Sequence, residues 1–534
     1  MKNQRVLIFL VILVLLVRAG YYFAQPDVCT DHISQMAMAH NFMDGNGFSF
    51  KFIDAQQQVY YKTHIQWPPL YPFLLALVSF ITANTLLSSF IIQIAVLLFL
   101  VIIWRKIFNL FKNLVAEEAY FYFISFLIIS TSILNNINTI LVVALLILSL
   151  SIYFLFAYLF LDKSRKLNLF LSSLFASLLF WTHYSYFLTA FYPAVVLFVI
   201  FYTGRDKAYF FASLNAFFTS LVFASGVLIY NYLSTGLINY MDNPGIWKAG
   251  FFPEHLRLTD PFFVNAFFNT GYLPANLFFF SKNYHGFLTL LFQIASFIIL
   301  LVIAFLFLRI RKSKSVISNS TSLLFIPFFV IIVLTISFLL YFTLHYHEIP
   351  IPGWTHLGDS RYLSSVYLSI ITIFILFLFV KVEYIKPRLV KIFKVVLFAF
   401  ILVSLCINIY LAAGHWGKYS FINNNKAERD YEKLFDNLKL ELSEGKVPVF
   451  VKNDLTVLSF RMSQYAGTAG ISLNELNRMK KIPSNMVFFF ILPETKNYRD
   501  VDFQLRKWSE RFNLVNLGVV DTKFTLYKVN NPEY

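Results

Sequence analysis

The chain has 534 residues, of which 58% are hydrophobic, 19% aromatic and only 13% charged, with a mean hydropathy of +0.65. Soluble globular chains carry about 45–50% apolar and about 25% charged residues, so a soluble enzyme, a disordered regulator and a fibrous protein are excluded. The net charge of +16 comes from short basic clusters between apolar blocks, a pattern of membrane topology rather than of nucleic-acid binding.

In chain order, the first apolar block spans residues 6–24 behind Lys2 and Arg5. A cleaved signal peptide has the same layout. However, no small-x-small cleavage site follows, and Tyr21, Tyr22 and Phe23 prolong the apolar run, so a retained helix is predicted. Further blocks long enough to cross hydrocarbon lie near 85–104, 119–135, 139–161, 167–182, 186–203, 208–232, 287–308, 322–342, 363–380 and 392–413. The apolar stretch 68–83 opens on Pro68 and Pro69 and is too short to span comfortably; it reads as an interfacial or re-entrant helix. Eleven spans with a cytoplasmic N-terminus place eighteen Lys and Arg residues on the cytoplasmic side and six in the opposite loops. The positive-inside rule selects this orientation, and counting 68–83 as a full span breaks it.

This topology puts loops 25–84, 233–286 and 343–362 outside, with the C-terminus. All ten histidines fall on that side, as do Trp67, Trp181, Trp247, Trp354 and Trp416. Longer loops collect such residues in any case, but the cytoplasmic loops are short, basic and chemically plain, so the working face is expected outside. From about Trp416 charged residues become common. Strand-like runs (Val447–Val451, Met486–Leu492, Phe512–Val520, Phe524–Val529) alternate there with amphipathic stretches such as Ala427–Leu442. The fold class predicted is an all-α polytopic membrane protein over residues 1–415 with a small extracytoplasmic α/β domain over 416–534. The expected location is the cytoplasmic membrane. Two cysteines, Cys29 and Cys406, are too few for a disulfide framework.

The first outer loop carries the most specific pattern. After Asp27 and Asp31 comes a helical stretch, Asp31–Asp44, in which Ile33, Met36, Ala37, His40 and Met43 follow the spacing of an amphipathic helix lying on the membrane. Asp27 and Asp31 are four residues apart and share a face if the turn is helical. Two nearby carboxylates raise one pKa, which suits a general base. Alternatively, Asp27 or Thr30 caps the helix.

Asp31, Ala39, Asn41, Gly45, Gly47, Phe48 and Ser49 stand as in the D-x7-A-x-N-x3-G-x-G-F-S pattern of membrane glycosyltransferases of the GT-C fold. The chain resembles the branch holding protein mannosyltransferases and aminoarabinose transferases. The run Trp67-Pro68-Pro69-Leu70-Tyr71-Pro72 is similar to that family's PPLYP segment, a juxtamembrane helix. Thr182-His183-Tyr184 stands where relatives often have Thr-Arg-Tyr, and Arg361-Tyr362-Leu363 resembles the RYL motif entering a late helix. Gln35 replaces the usual Tyr, and His64-Ile65-Gln66-Trp67 lacks the acid that some relatives carry before the proline pair.

The resemblance implies an inverting transfer of a sugar from a polyprenyl phosphate to a glycan, lipid or protein acceptor on the outer face. Asp31 is then the expected base, with Asp27 as second candidate. Arg361, His183 and Tyr362 are the candidates for the donor phosphate, Arg361 because a guanidinium is a forked, permanently charged donor. An interfacial arginine, or a structural pair with Asp359, is the plainer reading of Arg361. A membrane-interface histidine is the plainer reading of His183. His64, Lys248 and Arg257 are candidate substrate-loop contacts. His345, His347, Glu348, His356 and Asp359 have the chemistry of metal ligands but match no metal motif, so neither a metal nor a cofactor is expected. No Walker loop, dinucleotide fingerprint, HExxH helix or nucleophile elbow occurs. Carboxylates are missing from the apolar blocks, which argues against an ion-driven transporter but leaves a flippase for lipid-linked glycans open. A non-catalytic membrane partner acting through its C-terminal domain is the third reading.

Overall fold

Apolar runs without internal polar breaks satisfy their backbone in hydrocarbon only as helices, and helices are what they form. The computed structural model describes residues 2–23, 30–129, 139–161, 163, 165–238, 247–255, 319–348, 360–380 and most of 391–401. It also describes the strand segments 447–452, 469–472, 485–493, 513–519 and 524–530, with 478–479. The chain divides into two compact units. One holds Met1–Arg18, Ile65–Tyr71 and Ile91–Leu411; the other holds Ala19–His64, Pro72–Phe90 and Ala412–Tyr534.

The helices are α1 (Lys2–Phe23), α2 (Thr30–Met43), α3 (Leu70–Thr82), α4 (Thr85–Leu110), α5 (Glu118–Ile129), α6 (Thr139–Phe156), α7 (Lys166–Thr182), α8 (Tyr192–Gly204), α9 (Lys207–Thr235), α10 (Asn319–His345) and α11 (Ser364–Phe379). A π-helical turn, Ala157–Leu161, extends α6. Five helical stretches among the described residues are long and apolar enough to cross a membrane: Leu87–Leu110, Ile140–Leu161, Tyr184–Gly204, Lys207–Thr235 and Leu323–His345. The chain is a multi-pass membrane protein. The predicted block at 287–308 and most of that at 392–413 lie outside the described residues. With 13 residues, α3 reaches about 20 Å, short of a ~30 Å hydrocarbon core.

Within the first unit, helices meet through small residues, as is usual where the surrounding lipid gives no hydrophobic drive between them. On α7, Ser172, Ser173, Ala176 and Ser177 are all buried. The Ser172 hydroxyl donates to the Ser151 carbonyl of α6 at 3.2 Å, and the Ser177 hydroxyl to the Ser220 carbonyl of α9 at 3.3 Å. The Trp181 indole donates to the Phe223 carbonyl at 2.7 Å and lies over Gly226, where any Cβ would stand 2.7 Å from the ring. Between α8 and α9 the chain reverses through Arg205, at φ +58°, and Asp206, whose carboxylate caps the amide of Ala208 at 2.9 Å.

The two ends of this bundle differ chemically. At one end Arg105 pairs with Glu117 at 3.0 Å and Lys394 with Glu118 at 2.7 Å, and the backbone after α4 bonds to the end of α11 through Ala116 and Phe379. Arg105, Lys163 and Arg205 each lie over a tyrosine ring at 5.0–5.2 Å. The opposite end gathers Trp67, Trp181, His183 and the hydroxyls treated below. Loop segments close it as a short ribbon of β3 (Trp247–Ala249) and β4 (Tyr346–Glu348), in which Lys248 faces His347.

A seven-stranded sheet forms the second unit's core, in the order β2-β1-β6-β5-β7-β9-β8. Its strands are β1 (Ser49–Ile53), β2 (Val59–Thr63), β5 (Val447–Lys452), β6 (Ala469–Ser472), β7 (Met486–Pro493), β8 (Asn513–Val519) and β9 (Phe524–Asn530). The sheet predicted for the C-terminal segment therefore takes its edge from the first loop. Strand β1 runs parallel to β6, with Phe52 opposite Gly470, and antiparallel to β2. The β1–β2 turn is built by Asp54, whose carboxylate accepts the amides of Gln56 and Gln58 at 2.9 and 2.8 Å. Ile53, Val449, Ile471, Phe488 and Val529 form one buried cluster across this sheet. The amphipathic stretch Ala427–Leu442 lies outside the described residues.

Candidate functional site

The first unit's polar end is organised around His183. Helix α7 stops at this residue, whose backbone is extended (φ −157°, ψ 132°). The 3-10 turns Tyr184–Tyr186 and Leu188–Phe191 then lead into α8. The Ser185 amide donates to His183 Nδ1 at 3.2 Å, and the Ser185 hydroxyl lies 2.8 Å from the same nitrogen. A ring nitrogen that accepts an amide hydrogen carries none itself, so a neutral His183 holds its proton on Nε2. The imidazole is buried among three rings: Tyr362 at 5.0 Å, Trp67 at 5.5 Å and Tyr186 at 6.2 Å, all edge-on.

Hydroxyl pairs lock these turns to two helices, α10 and α11. Tyr186 Oη lies 2.8 Å from Ser364 Oγ at the start of α11. Thr189 meets Thr335 of α10 at 3.1 Å, and Thr335 meets Ser365 at 3.2 Å. The turn Ser360–Leu363 that enters α11 is thereby held beside His183, which brings Tyr362 against the imidazole. The backbone of Arg361 lies in that same turn. Trp67 is placed from the other side. The Tyr184 hydroxyl donates to the Ile65 carbonyl at 2.8 Å and accepts from Asn231 Nδ2 of α9 at 2.9 Å. Among the described residues the Trp67 indole N–H is buried without a partner.

In the second unit the glycine-rich pattern has a structural explanation. Helix α2 ends where Gly45 takes φ +80°, and Gly47 takes φ +69°. Asn41 Nδ2 donates to the Ser49 carbonyl at 2.7 Å, Ser49 Oγ donates to the Asn46 carbonyl at 2.7 Å, and Phe42 stacks on Phe48 at 4.6 Å. Together these turn the chain from α2 directly into β1. Open space surrounds the Cα of both glycines, so a side chain there meets backbone strain rather than a clash. Gly45→Ala and Gly47→Ala are each expected to cost about 1–2 kcal/mol, read as a lowered thermal midpoint of the purified protein.

The periodicity of α2 predicts one buried face, but Ser34, Gln35, Met36, Ala37, Met38 and Ala39 are all buried. Its middle is enclosed all round, partly by Phe48, Phe50 and Phe52 packed on Ala37 and Met38. Polar Ser34 and Gln35 are carried inside, and Gln35 Oε1 has no partner.

Of the predicted site residues, His183 and Tyr362 come together, with Arg361 next to Tyr362 in the chain. Asp31 lies in the first turn of α2 in the second unit. His64, also there, packs its ring on Phe50 at 4.3 Å beyond the end of β2. Lys248 is exposed on β3, opposite His347. Asp27 and Arg257 lie outside the described residues, as do His356 and Asp359 of the metal-like set. Among the described residues no three His, Cys, Asp or Glu side chains stand together as metal ligands. Sequence reasoning missed Trp67, Tyr186, Ser185, Ser364 and Asn231, whose roles depend on helices far apart in the chain. The Trp-Pro-Pro junction and the serine pair after Tyr362-Leu363 were the visible traces.

These helices, with a loop and juxtamembrane helix between α1 and α4, make up a membrane protein of the GT-C fold. The solved structures it resembles include ArnT from Cupriavidus metallidurans bound to undecaprenyl phosphate, at a TM-score of 0.56 and 8% identity over 98% of this chain and 99% of that one. ArnT from the same organism in the apo state gives 0.55 and 9%, over the whole of both chains. The likeness is one of fold, end to end. No family model matches the chain, and no curated protein matches it in sequence.

Proposed function

We propose that this protein is an integral membrane glycosyltransferase that moves a sugar from a polyprenyl-phosphate donor to an acceptor on the outer face of the cytoplasmic membrane. The observation that carries the reading is the end-to-end likeness to a protein solved with undecaprenyl phosphate, joined to the first-loop pattern that begins at Asp31. A multi-helix protein gives such a lipid a lateral way in, and the outer face has no supply of nucleotide sugars.

In the proposed reaction an acceptor hydroxyl loses its proton to the Asp31 carboxylate as its oxygen attacks the anomeric carbon. The bond from that carbon to the phosphate oxygen breaks, and the polyprenyl phosphate leaves with the electron pair. Attack opposite the leaving group inverts the anomeric configuration. The products are the glycosylated acceptor, polyprenyl phosphate and a proton, which Asp31 later releases to water. The leaving phosphate needs charge stabilisation more than protonation. In this reading Arg361 supplies a permanent cation, and His183 and Tyr362 supply neutral donors. The reaction needs no metal or cofactor.

The test is mass spectrometry of lipid-linked sugars and envelope glycans in a strain lacking the gene. The expected result is a build-up of one sugar-phosphate lipid with loss of one glycan modification. Unchanged pools of both would sink the reading. Movement of a lipid-linked sugar across vesicles without a new glycosidic bond would instead mark a flippase.

A further inference from the structure

We infer that the Trp67 indole N–H donates a hydrogen bond to a phosphate oxygen of the polyprenyl carrier. This rests on the function proposed above and adds one residue to its phosphate site.

Trp67 Nε1 is one of few buried side-chain polar atoms without a partner among the described residues. Such exceptions call for an explanation, because burying an N–H without an acceptor is unfavourable. An indole is a donor only, so whatever satisfies it must be an acceptor. The local backbone leaves the ring little freedom to find one elsewhere. Ile65, two residues earlier, is bonded through Tyr184 to Asn231 of α9. Pro68 follows directly and confines Trp67 to extended conformations. The indole ring is thereby held edge-on to His183, its centroid 5.5 Å from that of the imidazole.

The surroundings select the kind of acceptor. His183 carries its neutral-form proton on Nε2, because Nδ1 accepts the Ser185 amide. Tyr362 lies 5.0 Å from His183, edge-on, and Arg361 precedes it in the same turn. The indole, the neutral imidazole and the phenol each have an N–H or O–H and carry no negative charge. An anionic oxygen is the acceptor that suits all of them, since charge-assisted bonds are the stronger kind.

The experiment titrates the full-length protein in lipid nanodiscs with undecaprenyl phosphate, undecaprenol and inorganic phosphate, reading affinity from ligand-induced thermal stabilisation. Trp67→Phe keeps an aromatic edge against His183 and deletes the N–H. Benzothienylalanine placed at position 67 deletes the N–H alone, within the same double ring. Both changes are expected to weaken undecaprenyl phosphate binding about tenfold, the size of one hydrogen bond to a charged group. Undecaprenol binding should not change, and the ligand-free midpoint should stay level or rise, because the unpaired group is gone. Equal undecaprenyl phosphate affinity in the wild type and the benzothienylalanine protein would overturn the inference. So would a matching loss for undecaprenol, or a Trp67-dependent response to inorganic phosphate at the same concentration. Failure of the wild type to bind undecaprenyl phosphate would overturn the proposed function as well, whereas wild-type binding indifferent to position 67 overturns this inference alone.

Discussion

Replacing Asp31 with Asn is expected to lower sugar transfer by about 10²–10⁴-fold, the contribution of a positioned general base, while leaving protein in the membrane at wild-type level. The substitution keeps the size of the side chain and its ability to accept hydrogen bonds, and removes only the capacity to take up a proton. A hydroxyl at neutral pH is a poor nucleophile without that help, and the phosphate leaving group has no need of a general acid. The rate should therefore fall in the chemical step, with donor affinity little changed. The measurement is initial transfer rate in membrane vesicles holding the native lipid-linked donor, normalised to protein by immunoblot. Full activity in Asp31→Asn would remove the aspartate from the mechanism. An equal fall in donor affinity would move it to a binding role.

Arg361→Ala should raise the donor KM by about a hundredfold, as expected when one partner of a desolvated charge pair is deleted. Arg361→Lys should recover only part of this, because an ammonium keeps the charge but loses the planar fork that matches two phosphate oxygens. The graded order wild type, Lys, Ala in KM, with a smaller spread in kcat, is the signature of phosphate binding. A less stable Ala variant with unchanged kinetics would assign Arg361 to a structural pair with Asp359. The placement of Tyr362 against His183, on the turn that carries Arg361, is what makes phosphate binding the stronger expectation.

Much of the helical framework was legible because hydrocarbon imposes one rule on every residue of a span. The predicted blocks at 139–161 and 208–232, for example, became α6 with its π turn and α9. Refusing 68–83 as a span on the strength of Pro68 and Pro69 agrees with the 13-residue length of α3. Strand β6 escaped notice because Ala-Gly-Ile-Ser has neither length nor alternation, and it is a strand only because β1 and β5 flank it. The burial of α2 on all sides was hidden for a related reason. Periodicity records which residues prefer cover, not how much cover the rest of the chain supplies.

For the candidate site, the pattern Asn41-x3-Gly45-x-Gly47-Phe48-Ser49 was read as a mark of function. Its geometry is that of a turn: two left-handed glycines, one amide clamp and one ring stack. His183 and Tyr362 were recognisable as polar groups at helix ends. That they touch could not be read, because the contact is made by Tyr186–Ser364 and Thr189–Thr335–Ser365, which join the 3-10 turns after α7 to two helices far along the chain, α10 and α11.

The pairing of Phe52 with Gly470 sets an order of events during synthesis. Each helix can enter the bilayer as it is made, but β1 has no parallel neighbour until residues Ala469–Ser472 have been translated. Its other edge is taken by β2, so a β1–β2 hairpin must wait as an isolated two-stranded ribbon, a form that is marginal in water by itself. The loop that carries α2 is thus finished last although it is made first. An incompletely translated chain can hold nearly every membrane helix and still lack an ordered first loop. The late strand thus couples the ordering of β1, and of the loop that carries α2, to the arrival of residues Ala469–Ser472.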